Sequence, residues 1–155
     1  MSDSIVYTRD GALARLTLNR PQSLNAMGFE MGSRWRDLAL EITADPTVGA
    51  VILDAAGPAF CAGGDVVEMA TSGAGGADVT AAAHTIHAGI RAFVESDKPV
   101  VAVVQGAVAG GGLGLMLAAD YIVAGDRARF VSKYANIGLT PDLSVSTLLP
   151  AAVGQ

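Results

Sequence analysis

Val100-Val101-Ala102-Val103-Val104-Gln105-Gly106-Ala107-Val108-Ala109-Gly110-Gly111-Gly112-Leu113-Gly114-Leu115-Met116-Leu117-Ala118-Ala119-Asp120 decides how this chain folds. Val100 to Val104 is a short apolar run rich in β-branched residues, bounded by Pro99 and Gly106, and it predicts a buried strand. Gly110, Gly111 and Gly112 then open a charge-free run that predicts a buried helix reaching toward Asp120. The first turn of a helix has N–H groups without internal partners. Glycines let those groups approach a ligand closely, because no Cβ stands in the way. Such a helix start suits an anion, or an oxygen on which negative charge develops. The same residues serve equally well as a tight strand-to-helix packing turn. On this stretch alone both readings stay open.

Outward from it, the chain alternates strands and helices. Ile5 to Thr8 and Leu13 to Leu18 read as strands joined by an Asp10-Gly11 hairpin turn. Gly28 to Ala44 is an amphipathic helix with Phe29, Trp35, Leu38 and Ile42 on one face, stopped by Asp45-Pro46. Ala50 to Leu53 is a buried strand. A second glycine loop, Asp54 to Asp65, leads to a short helix from Val66 to Met69. Ser72 to Ala77 has the composition of a flexible flap. Asp78 is placed to cap a helix from Val79 to Glu95, with Ile86, Ile90, Phe93 and Val94 facing the core. Tyr121 to Ala124 and Ala128 to Val131 are further strands. Tyr134 to Pro150 carries Gly138, Pro141 and Asp142 before an apolar run. The alternation implies an α/β fold with largely parallel sheet, in which sites sit at the C-terminal ends of strands. Both glycine loops take that position.

The 155 residues fit one domain, and at 51% hydrophobic and 16% charged they can bury a core. A net charge of −5 without a Lys/Arg cluster argues against nucleic acid as a partner. Cys61 is the single cysteine, which excludes an internal disulfide and fits a cytoplasmic protein. Met1-Ser2-Asp3-Ser4 lacks the features of a signal peptide, and no apolar run has transmembrane length, so no membrane association is expected. Asp54 and Asp120 are too far apart in sequence to suggest a metal site, and no His/Cys spacing supports one.

Five segments in order resemble the enoyl-CoA hydratase/isomerase (crotonase) superfamily. They are Leu18-Asn19-Arg20-Pro21 with Asn25-Ala26, Ala59 to Asp65, Lys98-Pro99-Val100, Gly106 to Asp120, and Ile137 to Asp142. The resemblance implies a crotonase-like spiral of ββα units spanning residues 1–155 as an acyl-CoA-binding core, cut short of the family's C-terminal helical region. It implies an acyl-CoA thioester as substrate, with coenzyme A as part of that substrate and no separate cofactor or metal. It also implies that the N–H groups of Gly64 and Gly111 form an oxyanion hole. Ala62, Gly64, Asp65, Val66, Val67, Gly111 and Tyr134 match the substrate path. Family members form trimers or hexamers through C-terminal helices that this sequence does not contain.

Two positions depart from the family's hydratases. Their catalytic glutamates correspond to Gly114 and Tyr134 here, and neither residue can shuttle a proton as a carboxylate does. Asp142 is the carboxylate that remains, at a place resembling the catalytic aspartate of family isomerases. A 1,3-proton shift needs one base and an oxyanion hole, and desolvation in an apolar pocket would favour such a base. The expected activity is therefore enoyl-CoA isomerisation. Enoyl-CoA hydration and a non-catalytic acyl-CoA-binding role stand as alternatives. Asp142 could also cap the helix after Pro141. His87 matches a dehalogenase histidine by distance alone, and His84 and His87 read as a solvated helix face. Cys61 reads as small packing.

Overall fold

The computed structural model describes residues 3–154, so Met1 and Ser2 of the N-terminal reading lie outside the described residues. β1 (Ile5–Asp10) and β2 (Leu13–Leu18) form an antiparallel hairpin. Its turn is Gly11-Ala12 rather than Asp10-Gly11: Asp10 still pairs with Leu13, and Gly11 takes the left-handed φ of 56°. β3 (Ala50–Ala55), β4 (Val100–Val104) and β6 (Tyr121–Ala124) then add in parallel, giving the order β1-β2-β3-β4-β6. A second, two-stranded parallel sheet pairs β5 (Ala107–Ala109) with β7 (Arg129–Val131). Parallel neighbours need crossover connections. α1 (Phe29–Ala44) joins β2 to β3, α2 (Val66–Thr71) and α3 (Gly76–Val94) join β3 to β4, and α4 (Gly111–Leu117) lies between β5 and β6.

α1 and α3 pack against each other over a core that buries Trp35, Leu38, Ile42, Ile90 and Phe93. Trp35 is fully buried, its indole N–H donates to the Ile86 carbonyl at 3.1 Å, and its ring tilts against Phe93 at 5.4 Å. A buried indole is stable only when its N–H finds such an acceptor.

Several expectations change. β5 follows the Gln105-Gly106 turn inside the decisive stretch and pairs in the second sheet; three residues are too short to announce a strand. Only Ser72 to Gly75 lie outside helix in the flap, because α3 starts at Gly76. Asp78 does not stand at the N-cap. From the third helical position it accepts the Gly75 N–H at 2.8 Å, so the helix begins earlier. Val94 is exposed at the end of α3, and Phe29 is half-buried toward a cavity described below. α5 (Val145–Val153) is a helix that Pro150 hides in sequence. Among the described residues, no helix is long and apolar enough to cross a membrane, and no group of three or more acidic, His or Cys side chains could hold a metal.

Candidate active site

The first glycine loop is held from both sides by backbone. On one side, Ala62 N–H donates to Leu24 O (3.0 Å), Met27 N–H to Gly63 O (2.7 Å) and Asp65 N–H to Met27 O (3.0 Å). On the other, Phe60 N–H donates to Gln105 O (2.8 Å), Cys61 N–H to Ala107 O (3.2 Å) and Ala109 N–H to Cys61 O (2.9 Å). In the parallel bridge between Met27 and Gly64, the residues flanking Gly64 make the bonds. The N–H of Gly64 itself therefore faces away from Met27. Asn25 locks this arrangement. It is fully buried, accepts the Arg20 N–H at 2.7 Å, and donates to Ala56 O and Ala59 O, both at 2.9 Å.

The second loop lies directly against the first. A Cβ on Gly63 would stand 3.4 Å from the Gly111 nitrogen and 2.9 Å from the Ala109 carbonyl oxygen. A Cβ on Gly112 would collide with the Cys61 carbonyl. Glycine is thus required by the approach of the two loops as well as by any ligand. Gly111 is the first residue of α4, so its N–H has no helical partner. Gly64 and Gly111 both line one apolar cavity of about 150 Å³.

Tyr134 and Asp142 line the same cavity, where the Tyr134 hydroxyl donates to Asp142 Oδ1 at 2.7 Å. Tyr134 is buried, and burial first, then the adjacent carboxylate, pushes its hydroxyl well above the usual tyrosine value. Asp142 is placed differently from its expected setting. Its residue is exposed at the cavity rim, so the desolvation expected from the sequence does not surround it. Its side chain does not cap α5 either. That helix starts at Val145 behind Ser144, and only the Asp142 backbone carbonyl accepts from Val145 N–H, at 2.9 Å. Gly114 has no room for a side chain, because a Cβ there would collide with the Leu143 carbonyl. Leu143 and Ser144 adopt left-handed φ values of 48° and 66°, bringing that backbone over α4.

The remaining residues divide. Ala62, Asp65 and Val66 line the cavity and an adjoining outer groove, whereas Val67 lines the groove alone and is 73% exposed. The Asp65 carboxylate accepts the Glu68 N–H at 3.0 Å and pairs with Arg20 at 2.9 Å. Burial works to raise its pKa, but these partners outweigh burial and hold it below the usual carboxylate range. Asp54 pairs with Arg15, and Asp120 accepts the Val100 N–H, so both serve the sheet. Burial pushes the Cys61 thiol up to about 12, which suits packing rather than nucleophilic chemistry. His84 is exposed, but His87 is half-buried with Nδ1 3.4 Å from Ser144 Oγ, and neither lines the cavity. Glu68 and Lys133 also line it and were not foreseen. Glu68 sits at the third position of α2, where its sequence signal is that of a helix start.

Residues 8–155 match the family described as Enoyl-CoA hydratase/isomerase. A Mycobacterium tuberculosis protein named "Probable enoyl-CoA hydratase" is 35% identical over 153 residues, covering 98% of this chain and 59% of that protein. The 1,2-epoxyphenylacetyl-CoA isomerase of Escherichia coli K12 is 31% identical over 157 residues, covering 100% of this chain and 60% of the isomerase. The crystal structure of an enoyl-CoA hydratase/carnithine racemase from Magnetospirillum magneticum superposes with a TM-score of 0.89 at 28% identity, over 100% of this chain and 58% of that one. The chain thus spans about three-fifths of the length of such relatives.

Proposed function

For this chain, which belongs to the enoyl-CoA hydratase/isomerase family, we propose an enoyl-CoA isomerase activity with Asp142 as the single acid/base. A 3-enoyl-CoA would place its thioester oxygen on the N–H groups of Gly64 and Gly111. Asp142 takes a proton from C2, the electron pair delocalises into a dienolate whose oxygen those donors stabilise, and Asp142 returns the proton to C4. One preorganised donor of this kind is worth roughly 3–4 kcal/mol of barrier. Coenzyme A enters as part of the substrate, and the reaction calls for no separate cofactor.

The observation that carries this reading is the Tyr134–Asp142 hydrogen bond at the rim of the cavity that the two glycines line. The hydroxyl holds Oδ1 and leaves Oδ2 free to face a substrate. Two-glutamate hydration fits less well, because the backbone of Leu143 fills the space a side chain at position 114 would need. A non-catalytic acyl-CoA-binding role has one observation in its favour, the exposure of Asp142.

Spectrophotometric assays with trans-3-enoyl-CoA and trans-2-enoyl-CoA separate the readings. Conversion of the 3-enoyl to the 2-enoyl ester, lost in Asp142→Ala by about 10³-fold or more, supports the isomerase. Hydration of the 2-enoyl ester that survives Asp142→Ala overturns it. Binding without turnover of either ester leaves the binding role.

A further inference from the structure

We propose that the cavity accepts a compact acyl group, one six-membered ring or a chain of about six carbons, and that Ile86 sets this limit. The inference rests on the acyl-CoA reading above. The cavity measures about 150 Å³. A dry apolar cavity of that size holds a benzene molecule. Its wall on α3 is the stripe Val79, Ala82, Ala83 and Ile86, the spacing of one helix face. The two alanines leave the room, and Ile86 closes it.

Ile86 cannot retreat. A Cβ on Gly32 of α1 would stand 2.8 Å from Ile86 Cγ1, so the side chain already fills the gap between the two helices. The Ile86 carbonyl is fixed by the indole N–H of fully buried Trp35. Ile86 as a whole is 6% exposed, so an acyl group meets a rigid floor rather than an opening to solvent. With the thioester carbonyl at Gly64 and Gly111, a long chain would have to leave the cavity sideways into water and gain nothing from its outer carbons. Apolar affinity grows only with the area removed from water.

Calorimetric titration of the full chain with free CoA and with acetyl-, hexanoyl-, phenylacetyl- and decanoyl-CoA tests this, and these esters have no enoyl double bond to turn over. Hexanoyl- and phenylacetyl-CoA are expected to bind about tenfold or more tighter than acetyl-CoA, with no further gain for decanoyl-CoA. Ile86→Ala should open space toward Gly32 and strengthen decanoyl-CoA binding about fivefold or more. Ala82→Leu, at a half-buried position, should reduce hexanoyl- and phenylacetyl-CoA to the acetyl level while circular dichroism shows the fold retained. Affinity that keeps rising through decanoyl-CoA overturns the size limit. A well-folded Ile86→Ala protein with unchanged decanoyl affinity overturns the role of Ile86, and an ineffective Ala82→Leu overturns the location. If no ester binds more tightly than free CoA, the acyl-CoA reading itself fails. If esters bind without size preference, only this inference fails.

Discussion

The two glycine loops and the segment from Tyr134 to Ser144 meet at one cavity, yet they are held in opposite ways. The first loop is laced by backbone hydrogen bonds to Leu24–Met27 on one side and, on the other, to Gln105–Ala109, which leads into the second, with buried Asn25 tying down the start of the first loop at Ala56 and Ala59. The later segment exposes Ile137, Leu139 and Asp142, and the Tyr134 hydroxyl is the side-chain bond to the Asp142 carboxylate. The N–H groups proposed to meet a developing oxyanion therefore sit in a frame formed before any ligand arrives, which is where preorganisation would have most effect. The carboxylate proposed to carry the proton, Asp142, is held by one side-chain hydrogen bond, from Tyr134.

Removing Asn25 should have the largest effect on stability. Asn25→Ala leaves Ala56 O, Ala59 O and the Arg20 N–H without partners, which should cost about 3 kcal/mol or more. Urea denaturation measures this, and a loss below 1 kcal/mol would mean the loops are not pinned there. Tyr134→Phe breaks the other region selectively. It should lower kcat for isomerisation by about tenfold while KM changes little, with stability altered by about 1 kcal/mol or less. An unchanged kcat would remove the hydroxyl from the account. The smallest effect belongs to the Arg20–Asp65 pair beside the first loop. The Asp65 carboxyl is depressed in the folded state, so its contribution is full above the ordinary aspartate value near pH 4 and is lost as pH falls through the folded value. Asp65→Asn should cost about 1 kcal/mol at pH 7 and nothing at strongly acid pH, as read by denaturation at both.

The same contrast explains what could be read from the sequence. The glycine loops were legible because Gly63, Gly111 and Gly112 stand where Cβ atoms would strike backbone or a neighbouring side chain, so their residue type carries the geometry. β4 and α1 announced themselves by β-branched and amphipathic patterns. β5 and α5 did not, the first because Ala107-Val108-Ala109 is too short and the second because Pro150 sits inside it. The location of Asp142 was legible through the family motif, but its setting was not. Its exposure and its bond to Tyr134 depend on left-handed turns at Leu143 and Ser144, residues that rarely signal such a conformation. The absence of a hydratase carboxylate at position 114 was visible in sequence. That the Leu143 backbone occupies the space was visible only in three dimensions.

The central claim is that Asp142 carries the proton between C2 and C4 of a thioester held at Gly64 and Gly111. The direct test is proton NMR of 3-hexenoyl-CoA incubated with the chain in D2O, comparing wild type with Asp142→Asn. The account predicts double-bond migration in the wild type and none in Asp142→Asn, with deuterium at C4 to the extent that the exposed Asp142 carboxyl exchanges its proton with solvent before returning it. Migration or exchange that continues at the wild-type rate in Asp142→Asn would contradict it.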